Sequence, residues 1–203
     1  MRATVLLVAL ALTACHKSAS QDSSSSQAAS RSARRVSVEQ LRRSFPVVFG
    51  NDASGQPITW TVGARSGFDA FSKALGEPDY ADVVDENLDP SPLYVKFIDD
   101  AARDACNKAL TADFARADAS QRALLRYVQL SDTPQSAPEA VSRNLRYLRL
   151  RFHGLHVADA DDGPIAGLRQ VFSDSIAANG GSAKEGWRAV CVALATAPEF
   201  SLY

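Results

Sequence analysis

The sequence predicts an all-α fold, a mostly helical single domain of about six to seven helices with room for a small β-hairpin near residues 47–62. Apolar residues recur every three or four positions in most segments, which places them on one face of a helix. Helix start signals, such as serine or aspartate followed by proline, precede these segments, and glycines follow several of them. Residues 36–203 form a stretch of about 168 residues, long enough for one domain with a substantial core.

The first predicted helix begins after Ser37, because Ser37 and Gln40 have the spacing of a capping box. We expect Pro46 to end this helix, since proline removes a hydrogen bond from a helix interior. Residues 47–49 and 58–62 are β-branched or aromatic and flank a turn-rich segment. They therefore predict either a small hairpin or two extended loops.

Stronger helix signals follow along the chain. A short helix over residues 67–75 should end at Gly76. The next helix has Pro92 in its first turn and an apolar face that continues to about Leu110. The remaining helices are predicted over residues 121–129, from Pro138, from Pro164 to the glycines at 180–181, and from Ser182, with one more turn after Pro198.

The first 14 residues have the composition of a signal peptide, with Arg2 followed by an uncharged run rich in alanine, leucine and valine. The run is about 12 residues long, whereas a membrane-spanning helix needs roughly 20. It ends in Leu12-Thr13-Ala14-Cys15, which resembles the lipobox of bacterial lipoproteins. The resemblance implies cleavage before Cys15 and acylation of its thiol, which would anchor the protein to a membrane by several acyl chains. An ordinary signal peptide with a chance cysteine is the alternative.

Residues 15–35 are expected to form a lipidated cysteine and a flexible tether, and residues 36–203 the helical domain. The segment after Cys15 has eight serines and no aromatic residue, so it cannot bury enough apolar surface to fold. Its arginines Arg31, Arg34 and Arg35 either contact anionic headgroups or form a solvated charge cluster. The residue after Cys15 is His16 and not aspartate, which in the lipoprotein family favours the outer membrane.

Cys106 and Cys191 remain as a pair once Cys15 is lipidated. An exported protein meets an oxidising compartment, and both cysteines lie on the apolar faces of their helices, so we predict a disulfide between these helices. It would close a loop of about 85 residues and stabilise the fold by roughly 4 kcal/mol in the chain-entropy model. Two separate buried thiols are the alternative.

Two further stretches resemble known families. The tail from Trp187 to Tyr203, with its Pro198-Glu199-Phe200 ending, resembles the C-terminal helical module of secreted planctomycete and myxobacterial families. Residues 75–80 and 96–102 resemble myxobacterial lipoproteins of unknown function. The resemblance implies an accessory role beside secreted partner proteins.

We predict no metal site and no cofactor. His153 and His156 are poor metal ligands, because Gly154 should break the helix between them and no third ligand follows at a useful spacing. Residues 159–170 begin like a calcium loop but lack the glycine and glutamate that an EF-hand requires, so Asp161 and Asp162 are expected to cap a helix. A c-type haem is excluded, since Leu12 stands where the first cysteine of C-x-x-C-H would be.

Two groups of charged residues are candidates for a functional surface. The carboxylates of Asp99, Asp100 and Asp104 have basic neighbours at helical spacing, which indicates a solvated face rather than catalytic groups. The best candidate for an interaction patch is basic and aromatic. It comprises Arg143, Arg146, Tyr147, Arg149 and Arg151. Such a patch would suit a polyanion or a lipopolysaccharide surface, and pairing of these arginines with the acid-rich segment 77–104 is the alternative.

The expected role is that of a non-enzymatic envelope lipoprotein, anchored through Cys15, that binds another envelope protein. The alternative is an enzyme, or an accessory subunit of a redox or cytochrome system, with a cleft that the sequence does not reveal. The common nucleophile, metal and nucleotide-binding motifs are absent from the sequence, which weighs weakly against an enzyme. A formal net charge of −1 gives no reason to expect nucleic acid as a partner.

Overall fold

The computed structural model describes residues 33–78, 81–82 and 84–203. Within them the fold is all-α, with seven α-helices and one two-stranded hairpin, as predicted. The helices are α1 (Val38–Phe49), α2 (Gly67–Ala70), α3 (Pro92–Ala115), α4 (Pro138–His153), α5 (Gly163–Ala178), α6 (Ala183–Thr196) and α7 (Pro198–Ser201). In this part of the chain no helix is both long and apolar enough to cross a membrane. The predictions for residues 1–32, including Cys15 and Arg31, lie outside the described residues.

The capping box of α1 is present, but the helix does not end at Pro46 as we expected. It continues to Phe49, so residues 47–49 are helical and form neither the hairpin strand nor the extended loop that the sequence predicted. Phe45 and Phe49 are both fully buried and their rings lie 5.0 Å apart, so packing on either side of Pro46 favours the helical turn. The N–H of Gly50 donates to Pro46 O and ends the helix.

The hairpin therefore lies later in the chain than we predicted. It pairs β1 (Thr61–Val62) with β2 (Arg65–Ser66), antiparallel, through a tight turn at residues 63–64. Gly63 in this turn has φ +60°, a conformation that glycine adopts without steric cost. Of the short helix predicted over residues 67–75, only the first turn, α2, is helical, and ordinary turns follow.

The centre of the fold is α6, which packs between α3 and α5. Cys106 of α3 and Cys191 of α6 are buried with their sulfur atoms 2.05 Å apart, so the structure contains the predicted disulfide. On the opposite side, Phe172 of α5 lies against Trp187 of α6 with ring centroids 4.3 Å apart. Close contact requires Gly186 here, since a Cβ atom would stand 2.2 Å from the Phe172 ring.

Residues 34–36 are part of the fold. Arg34 and Tyr203 exchange two backbone hydrogen bonds, at 2.9 and 2.8 Å, and Val36 donates to Ser201 O. The Arg35 side chain is only 2% exposed and pairs with Glu86 at 2.9 Å. The expectation that Arg35 lies in a flexible tether, against headgroups or in a solvated cluster, is therefore wrong. Its guanidinium instead joins the start of the domain to the loop before α3, where it binds the Glu86 carboxylate and Asn87 O.

The helix predicted over residues 121–129 is also wrong. A single 3-10 turn, Ala119–Gln121, is followed by an irregular segment that reaches the turn before α4. Its apolar side chains enter the core all the same, since Leu124, Leu125 and Val128 are all buried. Buried polar side chains from neighbouring elements stabilise this segment, which we call the 122–130 loop.

Candidate functional site

The predicted patch on α4 is divided by the structure into two groups. Tyr147 is the centre of the first group: its hydroxyl donates to Ala123 O at 2.8 Å and accepts from Arg151 Nη1 at 3.0 Å. The Tyr127 ring, from the 122–130 loop, meets the Tyr147 ring edge-on at 5.5 Å between centroids. Arg143 stacks over the Tyr127 ring at 4.3 Å.

Arg126 completes this group, with its guanidinium 5.9 Å from the centroid of the Tyr147 ring. Arg126 and Arg143 are exposed, and neither has a carboxylate partner among the described residues. Tyr127 is 39% exposed. We call these four residues, Arg126, Tyr127, Arg143 and Tyr147, the arginine–tyrosine surface. Cation–π contacts hold both cations in place while their charged ends stay available to solvent.

The 122–130 loop that carries half of this surface is fixed by a buried carboxylate. Asp113, near the end of α3, has no exposed surface. Its oxygens accept three successive backbone N–H groups, from Ala123 at 2.7 Å, Leu124 at 2.7 Å and Leu125 at 2.9 Å. These bonds satisfy loop donors that have no helical partner, as buried backbone groups require.

A buried arginine satisfies the carbonyl groups of the same loop. Arg122 is 2% exposed and donates to three backbone oxygens, of Arg116 at 2.8 Å, Ala117 at 2.7 Å and Val128 at 2.9 Å. Carbonyl oxygens arranged around a guanidinium match the fixed geometry of its donors. Arg122, at the start of the loop, thus binds both Val128 near the end of the loop and the residues that directly follow α3.

Asn144 connects the 122–130 loop to α4. Its Oδ1 accepts the N–H of Tyr127 at 3.2 Å, and its Nδ2 donates to Leu124 O at 3.1 Å. Asn144 is fully buried one residue after Arg143, so the same turn of α4 holds the loop and presents the exposed cation. The surface is thus rigidly positioned, which is common for binding residues on loops.

The second predicted group of arginines has structural contacts elsewhere. Arg151 donates to Val48 O at 2.7 Å and Val47 O at 2.9 Å, at the carboxyl end of α1. Arg149 bonds His153 Nδ1 at 2.7 Å, and the opposite nitrogen of this ring donates to Leu194 O at 2.8 Å. Arg151 thus holds α4 against α1, and His153, bonded to Arg149, holds it against α6. Neither arginine is one of the four residues of the arginine–tyrosine surface.

Arg146 is the link between the surface and α5. It pairs with Asp162 at 2.6 Å, and Arg169 pairs with the other oxygen of this carboxylate at 3.0 Å. Asp162 occupies the N-cap position of α5 but makes no capping bond, so our prediction for it is wrong. Asp161 instead accepts the N–H of Gly163 at 3.0 Å, as a capping side chain would.

Two adjoining depressions surround Arg146. One, of about 480 Å³, is lined by Tyr127, Glu139, Ala140, Arg143, Arg146 and Asp159. The other, of about 420 Å³, shares Glu139, Arg146 and Asp159 with the first and extends to Asp162 and Arg169. Together they form an open trough beside α4 in which cations and carboxylates alternate.

The acidic residues of α3 pair with basic residues one helical turn away, as expected for a solvated face. Arg103 pairs with Asp99 at 2.8 Å, and Lys96 pairs with Asp100. Asp104 departs from this pattern, because it also accepts the N–H of Thr61 at 2.8 Å and so attaches the hairpin to α3. In the described part of the chain, no three His, Cys, Asp or Glu residues are grouped as a metal site would require.

Sequence reasoning missed Arg126, Tyr127 and Arg169 as members of the site. A usable signal did exist in two polar residues on otherwise apolar helix faces. Asn144 lies between Val141 and Leu145 on the buried stripe of α4, and Asp113 follows the buried Ala109 by four positions on α3. A polar residue on a buried face must find hydrogen-bond partners, which here are in the 122–130 loop.

Comparison with protein-family models, with curated protein sequences and with solved structures finds no match to this chain.

Proposed function

We propose that this chain is a lipid-anchored protein of the bacterial cell envelope that binds another envelope protein through its arginine–tyrosine surface. The lipobox sequence Leu12-Thr13-Ala14-Cys15 supports the anchor. A disulfide between Cys106 and Cys191 is consistent with export, because disulfides persist in oxidising compartments.

One observation carries the binding role. Three buried side chains, Asp113, Arg122 and Asn144, are devoted to fixing an irregular loop, and this loop presents Arg126 and Tyr127. Burying ionised groups costs free energy unless every charge is paired and hydrogen-bonded. A surface fixed in this way loses little side-chain entropy on binding, and tyrosine and arginine are the residues enriched at interface hot spots.

Site-specific photocrosslinking in the native envelope tests this function. A photoreactive amino acid replaces Tyr127 in one variant and Arg65 in a control variant. Arg65 is an exposed arginine of β2 in the hairpin, an element that contributes no residue to the arginine–tyrosine surface. We expect a discrete crosslinked product from position 127 that disappears when Arg143→Glu is added, and no such product from position 65.

Two results would contradict the proposed binding role. One is the absence of any discrete product at position 127 in the native envelope. The other is the same product from both positions, which would indicate contact by proximity and not through the arginine–tyrosine surface.

A further inference from the structure

Asp162 is a carboxylate placed where an external ligand could replace it. Both its oxygens are bound by guanidinium groups, from Arg146 at 2.6 Å and from Arg169 at 3.0 Å. Two arginines converging on one carboxylate are a strong anion-recognition arrangement. The Asp162 side chain is nevertheless 55% exposed, so solvent and a competing carboxylate can reach it.

Asp162 occupies the N-cap position of α5, but its side chain does not cap the helix. A residue at the N-cap of a helix commonly accepts a hydrogen bond from one of the first backbone N–H groups, and Asp162 accepts none. Its carboxylate is instead directed at Arg146 and Arg169 at the end of the trough. Arg169 is held there independently, because the same nitrogen also donates to Ser142 Oγ at 2.8 Å.

The other end of the trough has one cation, Arg143, that forms no ion pair with the carboxylates of the described residues. Arg143 lies over the Tyr127 ring and has no ion pair among the residues that the structure describes. The stem of Arg143 is already ordered by this stacking, so binding a carboxylate there would cost little additional side-chain entropy. The trough thus runs from an unpaired cation to a pair of arginines whose carboxylate is exchangeable.

We infer that the trough binds an acidic, extended segment of the partner protein, and that Asp162 competes with this segment from within the chain. One carboxylate of the segment pairs with Arg143, and a second displaces Asp162 from Arg146 and Arg169. The inference rests on the proposed function and names the partner chemistry of the same surface.

The lining of the trough favours a peptide over a phosphate-rich polyanion. Glu139 and Asp159 line both depressions, and they would repel a ligand that carries negative charge along its whole length. A peptide can place neutral residues beside these two carboxylates. The half-exposed Tyr127 ring and Ala140 also offer apolar contact, which a peptide side chain can use and a phosphate group cannot.

Fluorescence anisotropy with the mature, detergent-solubilised protein tests the inference. The probe is a fluorescein-labelled peptide with one glutamate at each end and neutral residues between them, called here the two-glutamate peptide. It is titrated at low ionic strength because salt screens such pairs. We expect Arg143→Glu to weaken binding at least about tenfold and Asp162→Asn to tighten it about threefold to tenfold. Arg65→Glu is the matched control and should leave binding within about twofold of the wild-type value.

Loss of the fold must be separated from loss of binding. Circular dichroism of each variant shows whether the helices persist. Should Asp162→Asn not fold, Asp162→Ser replaces it, since serine is favoured at an N-cap and also removes the carboxylate. Tighter binding by either folded variant supports internal competition.

Three results would overturn the inference. They are no gain in affinity without the Asp162 carboxylate, equal weakening by Arg65→Glu and Arg143→Glu, or displacement of the probe by inorganic phosphate as effectively as by the unlabelled two-glutamate peptide. The last result would assign the trough to phosphate groups and not to a peptide. Crosslinking at position 127 distinguishes the two proposals. A crosslinked partner without binding of the two-glutamate peptide contradicts only this inference, and binding of that peptide without a crosslinked partner contradicts only the proposed function.

Discussion

Tyr94 joins the two ends of the folded domain. Its hydroxyl donates to Ser201 O at 3.1 Å, beside Val36 O at 3.4 Å, and the Arg35 guanidinium lies 5.1 Å from its ring centroid. Burial disfavours the phenolate and raises the pKa of Tyr94 to about 12, although the nearby charge of Arg35 opposes the shift. This side chain therefore favours the folded state only while it stays protonated.

The free energy of unfolding should decrease in alkaline solution because of Tyr94. Its ordinary pKa of 10.0 applies in the unfolded chain, whereas the folded-state pKa is about 12. Below pH 10 the contribution of the neutral phenol is complete, and it is lost as the pH rises from about 10 to 12. The difference corresponds to about 3 kcal/mol. Urea denaturation at a series of pH values measures it.

Tyr94→Phe is the matched control for this titration. The variant lacks the ionisable hydroxyl, so the difference in unfolding free energy between wild type and variant should shrink across this pH range. Other tyrosines and lysines titrate in both proteins and cancel in the comparison. A constant difference from pH 9 to 12 would show that Tyr94 ionises no later in the folded state than in the unfolded state.

Asp113 should be among the most sensitive residues of the domain. Asp113→Ala leaves three buried backbone N–H groups without an acceptor, at Ala123, Leu124 and Leu125. Each unsatisfied donor costs about 1–3 kcal/mol, so we expect a loss of at least about 3 kcal/mol in the free energy of unfolding. Asp174→Ala, at an exposed position of α5, should change it by less than about 0.5 kcal/mol in the same urea titration. Equal effects would mean that the loop does not depend on Asp113.

At the level of elements, local signals predicted the helices that begin at a cap and continue with a regular apolar face. Such signals predicted the beginnings of three helices: α3 at Pro92, α5 at Gly163 and α6 after Ser182. In each, the side chain or the proline at the start acts within one turn of the backbone it stabilises, so a short window of sequence contains the whole cause.

The helix prediction failed at the 122–130 loop because the contacts that determine the loop's conformation come from other elements. Leu124, Leu125 and Val128 have the spacing of a helical face, and they are buried as a helical face would be. The backbone donors of the loop, however, bind Asp113 of α3, and Tyr127 N–H binds Asn144 of α4. No window around residue 125 contains those partners. The same limit explains why half of the arginine–tyrosine surface was not found from sequence.

Packing also explains the error at Pro46. The sequence rule is correct that the proline removes one hydrogen bond from α1. Arg151, about a hundred residues later in the chain, donates to the carbonyls of Val47 and Val48 and supports the last turn. Contacts that distant in sequence outweigh a local preference, and they become visible only once the helices are assembled.

The disulfide should stabilise the folded domain, but the helices should form without it. The pair Cys106→Ala/Cys191→Ala opens a loop with a sequence separation of 85 residues. The chain-entropy model gives a loss of roughly 4 kcal/mol in unfolding free energy. We expect the helical circular-dichroism signal at 25 °C to persist while the urea midpoint falls. An unchanged midpoint in the double variant, with the bond verified in the wild type by mass spectrometry, would show that the crosslink contributes nothing.

For the described domain as a whole, the first and last residues lie together. Arg34 pairs with Tyr203 through two backbone hydrogen bonds. The arginine–tyrosine surface is built from other elements, the 122–130 loop and α4, and includes no residue of these end segments. The proposed anchor at Cys15 and the proposed binding surface therefore involve different residues, and separate substitutions test them.

Cys15→Ala should release the protein from the membrane while the fold is retained. The substitution removes the thiol that the lipobox resemblance identifies as the site of acylation, and acyl chains contribute about 0.8 kcal/mol per buried CH₂. Fractionation and mass spectrometry of the N-terminal peptide measure the two consequences, loss from the membrane fraction and loss of the lipid mass. The Cys106–Cys191 bond should still form, provided that the variant is exported.

The double variant Cys106→Ala/Cys191→Ala is the control, because it also lacks cysteines but retains Cys15 and should remain acylated and membrane-bound. A Cys15→Ala protein that is still acylated would place the lipid elsewhere and contradict the lipobox assignment. A protein that stays in the membrane fraction without any lipid would instead indicate retention by an uncleaved signal sequence or by the partner. Adding Arg143→Glu separates these two explanations, since it should release only protein held by the partner.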